Sequence, residues 1–210
     1  MMSMNKSILI NPYHNSLLKR IFDIVISLLL IICLFPVIII IGLIIKLSSQ
    51  SPVLFIQKRT GKKGRVFKFI KFRTMRVGAK DHQRSLRHLN EADGPVFKIR
   101  DDPRFTKIGK LLARTGLDEL PQLINVIKGE MSLVGPRPLP VAEARKLNQN
   151  QKIRELISPG MTSSWVIKGN HSMKFKKWMW LDEQYVLEAS LLGDIEILFE
   201  TLLGFVKTAN

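Results

Sequence analysis

Cysteine is nearly absent from this chain. Cys33 stands alone, so no internal disulfide can form and nothing points to an oxidising compartment. Histidine is almost as scarce, and His14, His82, His88 and His171 lack the paired spacing of a zinc site. There is no G-x-x-x-x-G-K-[ST] loop and no G-x-G-x-x-G after a strand-like run, which removes the commonest nucleotide cradles; Gly61-Lys62-Lys63-Gly64 reads as a hairpin turn. Acidic residues are few: 17 against 33 Lys and Arg, a formal charge of +16. Such an excess suits nucleic acid, an anionic membrane face or a phosphorylated substrate.

Apolar residues, in contrast, are concentrated. From Ile21 to Leu47 the chain is almost wholly Ile, Leu, Val and Phe, with Asp23 the only charge before Lys46. A continuous helix here would reach roughly 40 Å, more than the ~30 Å hydrocarbon core. A secretory signal does not fit, because its apolar part is shorter and ends at a small-residue cleavage site. Pro36, near the middle, removes a helix hydrogen bond and favours a kink or break. Basic residues flank both ends: Lys19 and Arg20 before, Lys46, Lys58 and Arg59 after. The positive-inside rule places such charges in the cytoplasm. Two paths satisfy these features, a helix that enters, bends at Pro36 and leaves by the same face, or a kinked single span. Either holds the rest of the chain against anionic headgroups.

The remaining organisation reads as follows. Residues 1–16 form a polar tail with little to fix them, residues 17–50 the membrane segment, and residues 51–210 one cytoplasmic-face domain. Val53 to Met75 is β-rich around the Gly61–Gly64 turn and predicts a hairpin. Asp81–Leu89 is polar and reads as helical, apolar residues at helical spacing predict short helices over Phe105–Ala113 and Leu120–Ile127, and Val141–Ile157 is again helix-like. Gly135-Pro136-Arg137-Pro138 must be a stiff loop. Met173, Phe175, Trp178, Met179 and Trp180 alternate with Lys174, Lys176 and Lys177, a pattern that fits an amphipathic membrane-surface helix or one packed on its own domain. Tyr185 to Val206 is apolar with acids spaced through it and covers the domain or the exit of the membrane segment. The expected class is α+β, a helix-rich domain with a small hairpin beside a proline-broken membrane helix.

Few residues qualify for chemistry. Asp118 and Glu119 precede Leu120-Pro121-Gln122, where Asp118 could serve as an N-cap. At the same place the helix dipole would favour its ionised form, and exposed N–H groups would favour phosphate. An ionised aspartate beside phosphate is set up for nucleophilic attack, and Glu119 offers an oxygen for magnesium. Arg137, clamped between prolines, can grip phosphate bidentately. Lys71 and Arg73 would place two cations on one strand face. Arg104 and Arg114 could assist or be surface charges.

Taken in order, these elements resemble the bacterial sugar transferases, the monotopic phosphoglycosyl transferases, from about residue 17 to the end. The series runs Lys19-Arg20-Ile21-Phe22-Asp23, the proline-interrupted apolar helix, Lys71-Phe72-Arg73-Thr74-Met75, Gly94-Pro95-Val96-Phe97-Lys98 and Asp102-Pro103-Arg104. It continues through Leu117-Asp118-Glu119-Leu120-Pro121-Gln122, Val134-Gly135-Pro136-Arg137-Pro138 and Pro159-Gly160-Met161-Thr162. The length looks like the small form, little more than a catalytic module. The resemblance implies transfer of a sugar phosphate from a UDP-sugar to undecaprenyl phosphate at the cytoplasmic face of a bacterial membrane, with nucleic acid no longer a partner. It implies Asp118 as covalent nucleophile with release of UMP, and Glu119 with Asp118 at a Mg2+ ion. It also implies Arg137, Lys71, Arg73 and Gln122, with Arg104 and Arg114, on substrate, and a re-entrant helix turning at Pro36.

Some positions depart from the family pattern. Phe35 stands where serine is frequent before the break, Gly116 where serine precedes the Leu-Asp-Glu run, and Ala113 where an arginine is frequent. Val166 and Asn170 fall in a stretch that often reads Gln-Val-x-Gly-Arg, so contacts to sugar or base are expected to differ. Two other classes fit part of the pattern: a non-catalytic basic protein on a membrane surface, and a phosphatase acting on the same lipids. The binder gives no reason for adjacent acids facing a Pro-Arg-Pro loop; the phosphatase is told apart by its product, inorganic phosphate in place of UMP.

Overall fold

The computed structural model describes residues 10–48, 51–167 and 173–209. Helix α1 spans Leu17–Ser48. The Ser16 hydroxyl starts it by accepting from the Lys19 N–H at 3.1 Å. At 32 residues it is ~48 Å long, long and apolar enough to cross a membrane. Pro36 lies inside α1 and does not end it: the helix continues on both sides where the sequence suggested a break. Losing one backbone donor amid an apolar run on both sides leaves helix as the only local solution.

Both ends of α1 lie against the same domain. Near its start, Phe22, Ile26, Leu30 and Ile31 pack on the core of Phe67, Phe69, Leu123, Val126 and Leu133. Near its end, buried Ile41 and Ile45 pack with Phe72 and Leu112. Between them Leu29, Ile32 and Phe35 are exposed.

The first contact contains a buried polar network. Lys19 Nζ lies 3.1 Å from Asp23 and 2.7 Å from Asp194. Tyr13 and Tyr185 hydroxyls donate to Asp194 at 2.8 and 2.7 Å, and the Leu133 N–H donates to Asp23 at 3.1 Å. Arg20 caps another helix by donating to the Val126 and Ile127 carbonyls at 2.7 and 2.6 Å. Lys19 and Arg20 thus join protein to protein, so their charges are weak topology signals. The network also corrects the expectation of a loose tail. Pro12–Asn15 is a 3-10 turn, and the Asn11 N–H donates to the Val186 carbonyl at 3.1 Å. Residues 1–9 lie outside the described residues.

The hairpin forms as expected. Strand β1 (Leu54–Thr60) pairs antiparallel with β2 (Val66–Phe72), Leu54 opposite Phe72 and Thr60 opposite Val66. The turn uses Lys63 and Gly64 at φ 54° and 74°. Helix α2 (Lys107–Thr115) is capped by Thr106 and ends at Gly116, φ 67°. A 3-10 helix, Leu117–Gln122, runs into α3 (Leu123–Ile127). Strands β3 (Ser132–Val134) and β4 (Gly160–Thr162) form a short parallel pair, joined through α4 (Val141–Ala144) and a 3-10 helix, Gln151–Leu156. The long helix expected over 141–157 is therefore two short pieces. The one expected over 81–89 is two 3-10 turns, Asp81–Gln83 and Arg87–Leu89.

Helices α5 (Ser164–Ile167), α6 (Phe175–Glu188) and α7 (Leu191–Ala209) complete the fold. The aromatic-lysine stretch turns inward. Phe175, Trp178 and Met179 are buried, and Trp178 stacks on Trp165 with centroids 4.5 Å apart. The i, i+3, i+4 spacing gathers these residues on one face, and only Trp180 is left well exposed. So α6 is a core helix, not a membrane-surface one. An exposed apolar face occurs instead on α7, at Leu192, Ile195, Phe199, Leu202 and Leu203.

Removing the buried anion that joins α1 to α7 should be costly. Asp194→Ala takes the acceptor from the Tyr13 hydroxyl and leaves buried Lys19 with Asp23 alone, and should lower stability by about 3–5 kcal/mol. Thermal unfolding in detergent should show a midpoint lower by ~2–4 °C per kcal/mol; an unchanged midpoint would mean the network contributes nothing.

Candidate active site

The site begins at the sharp turn between α2 and the 3-10 helix. Left-handed Gly116 starts that helix and no side chain caps it. Asp118 is therefore not the N-cap that its position suggests. A strand ammonium is a stronger partner than a backbone N–H, and Lys71 Nζ reaches Asp118 Oδ2 at 2.7 Å. Asp118 is 3% exposed, and Lys71 sits near the end of β2, opposite Phe55. Glu119 faces the other way, toward the Gly-Pro-Arg-Pro loop. Arg137 grips its carboxylate with both nitrogens, Nη1 to Oε2 at 3.0 Å and Nη2 to Oε1. These two side chains are 30% and 22% exposed, so they form the open lip above a buried Asp118.

The Arg137 loop is fixed one carbonyl at a time. The Pro136 carbonyl accepts from the Gly160 N–H at 3.0 Å and the Leu139 carbonyl from the Thr60 N–H at 3.0 Å. Between them, Arg137 O accepts from Arg154 Nη2 at 2.6 Å and Pro138 O from Arg59 Nη1 at 2.8 Å. Prolines 136, 138 and 140 have no N–H to offer, and the Gly135 N–H, donating to the Thr162 carbonyl at 3.0 Å, anchors the start of the loop. Gly160 is required for it: a Cβ there would lie 2.1 Å from the Gly135 nitrogen.

Electrostatics separates the two acids. Burial pushes the Asp118 carboxyl up, Lys71 opposes it and the Glu119 charge adds to it, leaving Asp118 above the usual aspartate range. Burial also acts to raise Glu119, but the Arg137 charge and hydrogen bonds outweigh it and hold Glu119 below its ordinary value. Two further cations act on the site. Burial, then the Arg137 charge, pushes Lys98 down to about 8. Burial, then Arg137, lowers Arg59, whose guanidinium lies 3.8 Å from the Phe69 ring centroid.

Sequence reasoning placed the centre and missed part of its rim. Asp118, Glu119, Lys71 and Arg137 come together. Arg73 does not join them; its side chain donates to the Pro52 carbonyl at 2.8 Å. It follows the last residue of β2, so the alternation that would have set it on the Lys71 face no longer holds there. Arg104 is bound by Asp102 at 2.8 and 2.5 Å and donates to the Ala79 carbonyl, so it braces a turn. Arg114 is exposed beside Asp101. Gln122 is fully buried, with neither side-chain atom hydrogen-bonded to a protein group. Ala113 and Val166 are half-buried, and Asn170 lies outside the described residues. Arg59, Lys98 and Arg154 were not singled out as site residues. Lys98 stood in a motif and Arg59 alternates with Gln57 on β1, but nothing local marked Arg154.

The donor set bears on magnesium. Among the described residues no group of three or more His, Cys, Asp or Glu could cage a metal. Magnesium more often binds through one or two carboxylates together with substrate phosphates. Adjacent Asp118 and Glu119 fit that mode, provided that Arg137 releases Glu119.

Comparison with known proteins gives a consistent picture. The family model described as bacterial sugar transferase matches residues 14–208. The chain is 44% identical over 192 residues to the galactosyl transferase CpsE of Streptococcus agalactiae, covering 90% of this chain and 42% of that protein. It is 40% identical over 204 residues to the UDP-glucose:undecaprenyl-phosphate glucose-1-phosphate transferase of Escherichia coli, covering 93% and 42%. It is 35% identical over 191 residues to the exopolysaccharide production protein ExoY of Sinorhizobium fredii, covering 88% and 83%. The chain thus spans about two fifths of the first two relatives and most of the third.

Lys71 opposes the rise of the Asp118 carboxyl, so its loss has a defined sign. Lys71→Met should move the Asp118 titration further toward neutral pH. The carboxyl carbon shift of labelled aspartate, followed against pH, should show this, and an unmoved curve would separate the two groups.

Proposed function

We propose that this chain, which belongs to the bacterial sugar transferase family, transfers a sugar phosphate from a UDP-sugar to undecaprenyl phosphate, with release of UMP. One observation carries the reading: a buried carboxylate, Asp118, is paired at 2.7 Å with Lys71 and borders the half-open Glu119–Arg137 pair. The names of two relatives, which specify sugar phosphate transfer to undecaprenyl phosphate, support the substrate class.

In the proposed first step an Asp118 carboxylate oxygen attacks the β-phosphorus of the UDP-sugar. The phosphorus–oxygen bond to the UMP portion breaks, UMP leaves with that electron pair, and the sugar phosphate is held on Asp118. In the second step a phosphate oxygen of the polyprenol attacks the same phosphorus, and the Asp118 carboxylate is the leaving group. Asp118 must be ionised to attack, and Lys71 favours that form against burial. Arg137, on a loop whose carbonyls are tied, can exchange Glu119 for a substrate phosphate with little entropy left to lose. Asp118 and Glu119 would hold magnesium, which when bound neutralises charge on the phosphate oxygens.

The contacts of α1 support one reading of the topology. Both of its ends pack on one domain, whereas a straight span would carry its far end ~30 Å away across the hydrocarbon. We therefore read α1 as re-entrant, bending at Pro36, with the exposed side chains of Leu29, Ile32 and Phe35 deepest in lipid and the domain on the cytoplasmic face. Helix α7 is tied to α1 through the Lys19–Asp194 ion pair, and its exposed apolar face would rest in the headgroup region. That arrangement puts the Asp118 site where a lipid phosphate and a soluble nucleotide can meet.

Purified chain incubated with UDP-sugars and magnesium should release no more than one equivalent of UMP per chain, and should go on to release UMP in step with the lipid consumed only when undecaprenyl phosphate is added. Inorganic phosphate as product would indicate a phosphatase, and no turnover a lipid-binding protein. Asp118→Asn should lower UMP release at least ~10³-fold while the thermal midpoint moves by only a few degrees; activity near that of the parent would remove Asp118 as nucleophile. Impermeant labelling of tags at each terminus in intact cells should fail at both, and reaction at one would indicate a single span.

A further inference from the structure

Among the buried ionic groups outside the centre, one pair touches the machinery indirectly. Arg154 is 5% exposed and Asp182, on α6, is 2% exposed. Arg154 Nε lies 3.1 Å from Asp182 Oδ2, while Nη2 donates to the backbone carbonyl of Arg137 at 2.6 Å. The pair sits among apolar neighbours, with Ile153 and Ile157 on one side and Trp165, Trp178 and Leu181 on the other. Burial lifts the Asp182 carboxyl to about 6, so holding this charge inside the protein is unfavourable. A well-packed apolar pair would be at least as stabilising there. An apolar pair could not aim a donor at the Arg137 carbonyl.

That carbonyl belongs to the residue whose side chain grips Glu119. Its neighbours at Pro136, Pro138 and Leu139 are tied by Gly160, Arg59 and Thr60. Without Arg154, the peptide at the centre of the loop would lose its fixed donor, and the Arg137 guanidinium would lose its defined direction. Small displacements of a phosphate-gripping group are costly.

We propose that Arg154, held by Asp182, is a positioning residue that orients Arg137 toward the donor diphosphate without touching substrate. This rests on the reading of Arg137 as a phosphate-binding residue. The coupling would tie α6, at the far side of the domain core, to the affinity of the site.

UDP in the presence of magnesium chloride is a suitable probe, titrated calorimetrically into the full chain in detergent. Arg137→Ala should weaken UDP about tenfold or more, the size of a lost charge-assisted hydrogen bond. Arg154→Gln should weaken it about tenfold, and Arg154→Lys by less. In an Arg137→Ala background, Arg154→Gln should add no more than about twofold, because both act through one contact. The double variant Arg154→Met with Asp182→Leu removes both charges and guards against misfolding. It should keep the thermal midpoint within a few degrees yet lose UDP affinity as Arg154→Gln does. Parental affinity in that folded variant, or full additivity with Arg137→Ala, would overturn the positioning role. Unchanged UDP binding by Arg137→Ala would instead overturn the reading of Arg137 on which it rests.

Discussion

Two adjacent carboxylates cannot both stay charged in a buried site unless each is given a cation. That constraint organises this protein. Lys71 answers Asp118 from β2, and Arg137 answers Glu119 from the Gly-Pro-Arg-Pro loop. The two acids are neighbours in sequence but diverge on the 3-10 helix, so each meets a different wall of the domain. The hairpin exists, in functional terms, to carry Lys71. The β3–β4 pair, with glycines at 135 and 160 where backbones nearly touch, exists to carry Arg137. Because the site is neutralised internally, an incoming diphosphate can exchange partners with existing ion pairs and need not drive charges out of water.

The same economy of charge appears where α1 joins the domain. Lys19, Asp23 and Asp194 compensate one another inside the protein, with two tyrosine hydroxyls completing the anion's shell. Because α1 is gripped at this end and again at Ile41 and Ile45, its exposed apolar middle is bracketed by protein contacts. An apolar helix held at both ends by one domain fixes that domain's height relative to the bilayer. We see this as the reason the membrane element and the site element belong to one small fold.

Much of this was legible in the sequence, and the failures have physical causes. The hairpin was visible because β-rich runs flanked a turn, and the centre because Asp118, Glu119 and Arg137 occupy places where stiffness and adjacent acids need an explanation. Helix lengths were overread at 81–89 and 141–157, since helix-forming residues are equally at home in broken 3-10 turns. The Trp178 stretch was left open between lipid and domain because lysines between aromatics look alike whether the partner is a bilayer or Trp165. Lys19 and Arg20 were read as topology charges because a sequence does not show that Asp194, far along the chain, faces Lys19. Arg154 was missed for the same reason: its two partners, Arg137 and Asp182, are brought to it only by the fold.

The central claim is that Asp118 carries the sugar phosphate between donor and lipid. It is tested most directly by quenching the chain in acid after mixing with a UDP-sugar and magnesium, without lipid acceptor, and mapping modified peptides by mass spectrometry. The account predicts one stoichiometric phospho-sugar adduct on Asp118, formed together with one equivalent of UMP and discharged when undecaprenyl phosphate is added. Turnover with no adduct on that residue, or with an adduct on another side chain, would contradict it.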